Sequence, residues 1–169
     1  MLINIEVAVT EETSTTEQGG LLETLGREIL ETSNFEVVET IRLTGMEVDL
    51  LAKHRSTSEV VFVECKAQQA NLAADIITKL LGNIMLKGVS CGWLLSTAQF
   101  GKDAKGIADE WDKKLPDEKR KLQLYPPKKL AELLISTKNI LPPESLIKPE
   151  GYQYAEEAYL LTSVRLKIK

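Results

Sequence analysis

The stretch VVFVECKAQ, residues 60–68, opens with four apolar residues and then changes to Glu64, Cys65, Lys66 and, two residues later, Gln68. An apolar run of this length is typical of a buried strand. Because side chains alternate along a strand, those of Glu64, Lys66 and Gln68 share one face, and Cys65 takes the opposite face. The sequence therefore predicts a core strand whose carboxyl end presents charged groups.

The segment before it, MEVDLLAK at residues 46–53, is predicted as the neighbouring strand. We expect the turn between them to centre on Ser56 and Thr57. This register places Asp49 directly opposite Glu64, with their Cβ atoms about 5 Å apart. A slip of one residue would turn Asp49 to the other face, so the register decides whether the two acids meet.

Two carboxylates at that distance repel each other, and burying them unpaired would destabilise the fold by several kcal/mol. Lys66 supplies one positive charge, which does not neutralise both acids. A Mg²⁺ ion would complete the neutralisation, because it binds through one or two carboxylates and keeps water or substrate phosphate oxygens in its other positions. The backbone carbonyl of Cys65 points to the same region and is a candidate further ligand.

The hydrophobic pattern of the whole chain predicts the element order α-β-β-β-α-β-α-β-α between residues 16 and 136. A meander followed by alternating helices and strands implies an α/β fold with a mixed central sheet and helices on both faces. We predict a lead-in at residues 1–15, one domain at residues 16–140, and a linker with a C-terminal extension at residues 141–169. The extension is interpreted as a final strand or as the start of a further domain.

The composition, 43% hydrophobic and 27% charged over 169 residues, is that of an ordinary soluble globular protein. No apolar run approaches the roughly 18 residues that a membrane span requires, and the amino terminus lacks the basic and apolar regions of a secretory signal. Cys65 and Cys91 are too few for a disulfide framework. We therefore expect reduced thiols and a cytoplasmic protein.

The charges are unevenly distributed along the chain. Residues 1–75 contain 5 Lys or Arg against 14 Asp or Glu, whereas residues 76–169 contain 16 against 11. This pattern is typical either of a solvated charge mosaic or of a cation-binding centre beside a surface that meets phosphates. The basic segment at residues 112–123 is either a solvated helix end or a contact with a nucleic-acid backbone. Trp93 and Trp111 are predicted to pack in the core.

Four segments carry a resemblance to a known superfamily. GMEVDLL at residues 45–51, followed by VECK at residues 63–66, resembles the PD-(D/E)XK nucleases. The chain is most similar to their Mrr-like restriction endonucleases and also resembles the nuclease domains of bacterial anti-phage ATPases. GLLETLGREILETSNFEVVE at residues 20–39 and STAQFGKDAKGIADEW at residues 96–111 are similar to the helix before and the strand-to-helix segment after the family's core. The likeness spans residues 16 to 135 and implies a restriction-endonuclease-like fold.

The resemblance implies metal-assisted hydrolysis of phosphodiester bonds. Asp49, Glu64 and the Cys65 carbonyl would hold Mg²⁺, for which Mn²⁺ is expected to substitute. Glu23 would bind a second metal ion or one of the metal's water molecules. Lys66 would either orient the attacking water and offset the charge on the phosphate, or lose its proton and act as a general base.

Three further assignments stay open at this point. Glu23 and Glu28 lie at opposite edges of the apolar stripe of the first helix, and only the resemblance favours Glu23. Glu47 precedes Asp49 by two residues on the same face and is either an extra ligand or a solvated side chain. Gln68 either contacts the attacking water or a phosphate, or leaves the strand as an ordinary polar residue.

Three functions are compatible with this sequence. The expected one is a Mg²⁺-dependent DNA endonuclease in restriction or anti-phage defence, and the alternative is a catalytically silent nucleic-acid-binding or scaffold module on the same fold. The third is an unrelated α/β domain in which Asp49, Lys66 and Glu64 form a buried salt-bridge network. The resemblance also implies double-stranded DNA as the partner, a homodimer, and a fused or separate regulatory domain.

Overall fold

The computed structural model describes residues 5–7, 15–43, 46–137, 158–159 and 166–168, and the side chains of residues 19–38 and 48–137. In chain order, the helices and strands are β1 (Ile5–Val7), α1 (Thr15–Thr32), β2 (Phe35–Leu43), β3 (Met46–His54), β4 (Val60–Lys66), α2 (Ala74–Lys87), β5 (Cys91–Ser96), α3 (Lys102–Asp112), α4 (Pro116–Lys119), β6 (Leu122–Tyr125), α5 (Pro127–Ser136), β7 (Ala158–Tyr159) and β8 (Leu166–Ile168). The predicted order from the first helix to the last is confirmed, and the short helix α4 is an addition to it.

The central sheet has five strands in the order β2-β3-β4-β5-β6. The pairs β2–β3 and β3–β4 are antiparallel, whereas β4–β5 and β5–β6 are parallel. In the β3–β4 hairpin, Leu50 pairs with Val63 and Lys53 with Val60. This is the predicted register, and its continuation brings Asp49 opposite Glu64.

Helices cover both faces of this sheet, as predicted. Strand β4 shows why the segment is apolar: Val61 and Val63 pack under α1 and α5, whereas Phe62 packs under α2 and α3. A strand that is buried on both faces reads as a continuous hydrophobic run rather than as an alternating one. The polar residues therefore begin only where β4 emerges from beneath the helices.

Helix α1 lies very close to the sheet beneath the carboxyl end of β4. A Cβ atom on Gly26 would lie 3.0 Å from Leu95 Cδ1, 3.1 Å from Leu50 Cδ1 and 3.4 Å from Cys65 Sγ. A side chain at this position would push the helix away from the strands. The glycine therefore keeps α1, and Glu23 with it, against the strands that carry the acids.

Both tryptophans pack, as the sequence predicts. The Trp93 ring lies 5.8 Å from that of Phe35 and 5.4 Å from that of Tyr125, measured between ring centroids. The indole N–H of Trp111 donates a 3.1 Å hydrogen bond to the carbonyl of Leu122, which joins α3 to β6. The two indoles therefore serve the fold.

The terminal segments contain a second, small sheet in the order β1-β8-β7. Ile5 pairs with Ile168 and Val7 with Leu166 in an antiparallel ladder. The lead-in predicted at residues 1–15 thus contains a strand, and this strand pairs with the C-terminal extension. Most of the predicted linker lies outside the described residues. No described helix has the length and apolar character needed to cross a membrane.

Candidate active site

Asp49 and the backbone of Cys65 meet where β3 and β4 separate. The N–H of Cys65 donates a 2.7 Å hydrogen bond to Oδ2 of Asp49. Because the N–H and C=O of one strand residue point to the same side, the Cys65 carbonyl also faces the side of Asp49. The Lys66 carbonyl faces the other way and accepts a 3.1 Å hydrogen bond from the N–H of Thr97. The backbone of β4 is therefore held from both sides at the candidate site.

Lys66 lies between the two carboxylates. Its Nζ is 2.6 Å from Oε1 of Glu64 and 4.0 Å from Oδ2 of Asp49. The three side chains are half-buried, with 30% of Lys66, 21% of Asp49 and 15% of Glu64 exposed. The structure thus brings together the three residues that the sequence singles out, with two negative charges against one positive charge.

The surroundings of Lys66 favour its charged form. Burial alone would lower the pKa of Lys66, but the hydrogen bond to Glu64 and the charges of Glu64 and Asp49 outweigh burial and raise that pKa. Opposite charges at short range stabilise an ammonium in this way. The side chain is therefore a cation in this arrangement, which favours the electrostatic role over the role of general base.

The pKa of the Cys65 thiol responds to the charged groups around the end of β4. Burial raises the pKa of its thiol well above the usual value, and the charges of Asp49, Glu23 and Glu64 raise it further. Glu23 is thus close enough to act on the strand that carries Glu64. Glu28 exerts no such effect on Cys65, and its Oε2 is buried without a hydrogen-bond partner among the described residues. This arrangement favours Glu23 as the helix carboxylate.

Two other candidates are placed differently. The Gln68 amide donates a 2.8 Å hydrogen bond to the carbonyl of Ala70, which shapes the loop after β4. This contact fits the interpretation of Gln68 as a polar residue that leaves the strand. Glu47 lies in β3, but its side chain is outside the described residues.

Ser96, at the end of the neighbouring strand, was not among the residues predicted from the sequence. It is fully buried and pairs with Lys66 in the parallel register of β4 and β5. Its hydroxyl donates to the carbonyl of Ala98 and accepts from the N–H of Ala98, both at 3.0 Å. These bonds shape the turn whose Thr97 N–H holds the Lys66 carbonyl. A small polar residue at the end of an apolar strand was the available sequence signal.

The donor set fits a hard cation. Among the described side chains, no group of three or more His, Cys, Asp and Glu residues is arranged to hold a metal ion. Asp49 and Glu64 form a pair instead, and both can be reached from solvent beside the Cys65 carbonyl. Two carboxylates with room for water are the ligands that Mg²⁺ uses at phosphate-handling sites.

Comparison with known proteins shows the family. A family model described as restriction endonuclease (Mrr_cat) matches residues 16–134. No match was found among the curated proteins. One similar solved structure is the protein of unknown function AF1548, which is 20% identical with a TM-score of 0.51 over 77% of this chain and 72% of that chain.

Two further solved structures have names that state an activity or a ligand. The MspJI restriction endonuclease in complex with a 27-mer oligonucleotide is 15% identical, with a TM-score of 0.45 over 75% of this chain and 35% of that chain. The EndoMS–dsDNA2 complex is 16% identical, with a TM-score of 0.44 over 71% of this chain and 49% of that chain. This chain therefore corresponds to only part of those two proteins. The family model covers more than half of the chain, and the chain belongs to the Mrr-like restriction endonuclease family of the PD-(D/E)XK nuclease superfamily.

Proposed function

We propose that this chain is a Mg²⁺-dependent endonuclease that hydrolyses DNA phosphodiester bonds in restriction or anti-phage defence. The observation that carries the proposal is the meeting of Asp49, Glu64 and Lys66 at the carboxyl end of β4, with Lys66 Nζ 2.6 Å from Glu64 and 4.0 Å from Asp49. A core strand that ends in two acids and one amine gives no advantage to folding that apolar residues would not give. Membership of a restriction endonuclease family supports the same function.

Each side chain of the cluster has a distinct task in this proposal. Asp49 and Glu64 would hold the metal ion together with the Cys65 carbonyl, and Glu23 on α1 would bind a second metal ion or one of the metal's water molecules. A bound Mg²⁺ would supply the Lewis acid for the scissile phosphate and lower the pKa of a water molecule. Lys66 stays protonated and offsets the negative charge that develops on the phosphate oxygens.

The half-buried position of the cluster strengthens these effects. A charge that is aimed at the phosphate acts more strongly where water is partly excluded than in bulk solvent. The Asp49–Cys65 hydrogen bond and the Thr97–Lys66 hydrogen bond fix the backbone on either side. The cluster is therefore oriented before the substrate arrives, which reduces the reorganisation that the reaction requires.

The wider assembly is part of the proposal. We infer a cytoplasmic protein that acts on double-stranded DNA, in which residues 16–140 form the nuclease domain and a fused or separate domain regulates it. Concerted cleavage of both strands uses two active sites, which a homodimer would supply. Mn²⁺ is expected to replace Mg²⁺, because both are oxygen-preferring divalent ions.

A plasmid assay tests the proposal. We expect wild-type protein to nick or cut supercoiled plasmid with Mg²⁺ or Mn²⁺ and not with EDTA, and we expect Lys66→Ala to abolish cleavage. Lys53→Ala is the matched control, because Lys53 is exposed on β3 and takes no part in the cluster. If the Lys66→Ala protein still cleaves the plasmid, the assignment of Lys66 to the active site is wrong. Metal-independent DNA binding without any cleavage would favour the silent binding module.

A further inference from the structure

A second feature that could meet a substrate is a cleft of about 530 Å³ between helix α3 and the edge strand β6. Lys105, Asp109 and Trp111 line it from α3, Leu124 lines it from β6, and Lys119 and Lys129 line it from the flanking helices. The indole N–H of Trp111 is bonded to the Leu122 carbonyl, so this ring forms a fixed wall. The cleft shares no residue with the catalytic cluster.

The strand register places the cleft on the same face and at the same end of the sheet as the cluster. Glu64 pairs with Leu94, which in turn pairs with Leu124 in a parallel ladder. Side chains at paired positions project to the same face. The Leu124 side of the cleft therefore continues the face that carries Glu64.

The separation along the sheet follows from strand geometry. Strands β4 and β6 are two spacings apart, which is roughly 10 Å at about 4.8 Å for each spacing. One strand of a duplex advances about 3.4 Å along the helix axis per nucleotide. A duplex with one phosphate at Lys66 would thus bring the backbone about three nucleotides away to the cleft.

The lysines of the cleft are available for an anion. Lys105, Lys119 and Lys129 form no ion pair with any carboxylate in the described part of the chain, whereas Lys113 nearby is paired with Glu110. Helix α5 adds to the positive potential, because its first turn carries no acidic residue and its N-cap makes no side-chain hydrogen bond.

The other edge of the sheet attracts such an anion less. Strand β2 contains Glu36 and Glu39 against Arg42, whereas Lys119 and Lys129 flank β6. A polyanion bound at Lys66 would therefore run toward β6 rather than toward β2.

We propose that the α3–β6 cleft binds the phosphodiester backbone of the DNA substrate about three nucleotides from the scissile bond. This proposal rests on the proposed function, because it takes the scissile bond to lie at Lys66. The cleft supplies three ammonium groups that position the strand and release counterions on binding. Two aspartates, Asp109 and Asp112, line the same cleft and weaken this attraction.

The test measures binding separately from cleavage. The Lys66→Ala protein is titrated against a short fluorescein-labelled DNA duplex, and anisotropy is recorded over a range of salt concentrations. In this background, we expect Lys105→Gln, Lys119→Gln and Lys129→Gln each to weaken binding several-fold. The slope of log K against log salt should become shallower by about 0.9 for each phosphate that a variant no longer neutralises.

Two variants of the cleft aspartates and one variant of a lysine outside the cleft complete the test. Asp109→Asn and Asp112→Asn should strengthen binding, because they remove negative charge from the same cleft. Lys79→Gln is the matched control, since Lys79 is exposed on α2 and does not line the cleft. Equal weakening by Lys79→Gln and the cleft lysines, or no response to the aspartate variants, would overturn the cleft as a binding site.

Cleavage by the otherwise wild-type protein separates the two proposals. The cleft variants should raise KM and leave kcat unchanged, because the cleft binds substrate and transition state equally. Cleavage that is unchanged by all three lysine variants overturns the cleft and leaves the nuclease function standing. Cleft-dependent binding by a protein that never cleaves overturns the nuclease function and leaves the cleft standing.

Discussion

The backbone N–H of Cys65 donates its hydrogen bond to the side chain of Asp49, at 2.7 Å, and not to a backbone carbonyl of β3. The regular backbone pairing of β3 and β4 ends at Leu50 and Val63, one position before Asp49 and Glu64. The carboxylate of Asp49 therefore continues the link between the two strands beyond the end of the backbone ladder. One carboxylate oxygen serves the fold, and the remaining acceptor capacity of the group is directed at the space beside Glu64 and Lys66.

This double task predicts different outcomes for two variants of Asp49. Asp49→Asn keeps a side-chain oxygen that can accept from Cys65 N–H but loses the charge, so cleavage should fall by about a hundredfold or more with a small change in melting temperature. Asp49→Ala should lose cleavage as well, and the unpaired N–H should destabilise the protein by about 1–3 kcal/mol. Plasmid cleavage and thermal unfolding of both variants check this. An Asn variant that cleaves at the wild-type rate would show that the charge of Asp49 is not used.

The position of Lys66 between the two carboxylates predicts that Mg²⁺ binding and thermal stability are linked. In the absence of metal, Lys66→Ala leaves Glu64 and Asp49 facing each other without their cation, and should destabilise the protein by about 1 kcal/mol. A divalent ion that binds only the folded state should raise the melting temperature. The increase on adding Mg²⁺ should be larger for Lys66→Ala than for wild-type protein, because the ion replaces the lost charge.

Differential scanning fluorimetry with and without Mg²⁺ measures this effect, and Lys53→Ala serves as the control. If Mg²⁺ does not change the melting temperature of either the wild-type protein or the Lys66 variant, the third interpretation of the sequence is favoured, a salt-bridge network without a metal. The cluster would then serve the fold alone, and Lys66→Ala would lower the melting temperature by the same amount with and without Mg²⁺.

The pair Glu23 and Glu28 gives a prediction in which each variant is the control for the other. Glu23→Gln should raise the Mg²⁺ concentration needed for half-maximal cleavage, because the charge of Glu23 reaches the strand that carries Glu64. Glu28→Gln should leave that concentration unchanged. It should also leave the melting temperature equal or slightly higher, because it removes a charge whose Oε2 is buried without a hydrogen bond among the described residues. The reverse result would make Glu28 the helix carboxylate.

The sequence was sufficient for the parts of the site that depend on local geometry. A short turn fixes the register of a hairpin, so the facing positions of Asp49 and Glu64 followed from the position of the turn. The alternation of side chains then put Lys66 on the face of Glu64. The order of the central strands and of helices α1, α2, α3 and α5 followed in the same way from hydrophobic periodicity.

The parts that the sequence could not supply depend on contacts between distant segments. The hydrogen bond from Thr97 to Lys66 and the buried hydroxyl of Ser96 exist only because β5 lies beside β4. The pairing of Ile5 with Ile168 joins the two ends of the chain, and no local pattern predicts it. Glu23 and Glu28 lie at opposite edges of the apolar stripe of α1, so only the packing of this helix distinguishes them.

Backbone hydrogen bonds also join the loop after β4 to the loop after β5, and they pass through Gly101, where there is no room for a side chain. The N–H of Leu72 donates to the carbonyl of Gln99 at 2.8 Å, and the N–H of Gly101 donates to the carbonyl of Leu72 at 2.9 Å. A Cβ atom on Gly101 would lie 3.0 Å from that Leu72 oxygen, which is backbone and cannot rotate away. Gly101→Ala should therefore separate the two loops.

We expect Gly101→Ala to destabilise the protein by about 1–2 kcal/mol and to lower cleavage by more than the loss of stability explains, because the loop after β5 also holds the Lys66 carbonyl. Gly106→Ala is the matched control, since a Cβ atom there meets nothing within 4 Å. In the middle of α3, that change should stabilise by about 0.5–1 kcal/mol. Urea unfolding and plasmid cleavage of both variants measure the difference. If Gly101→Ala retains wild-type cleavage while it is destabilised, the joined loops serve the fold and do not position Lys66.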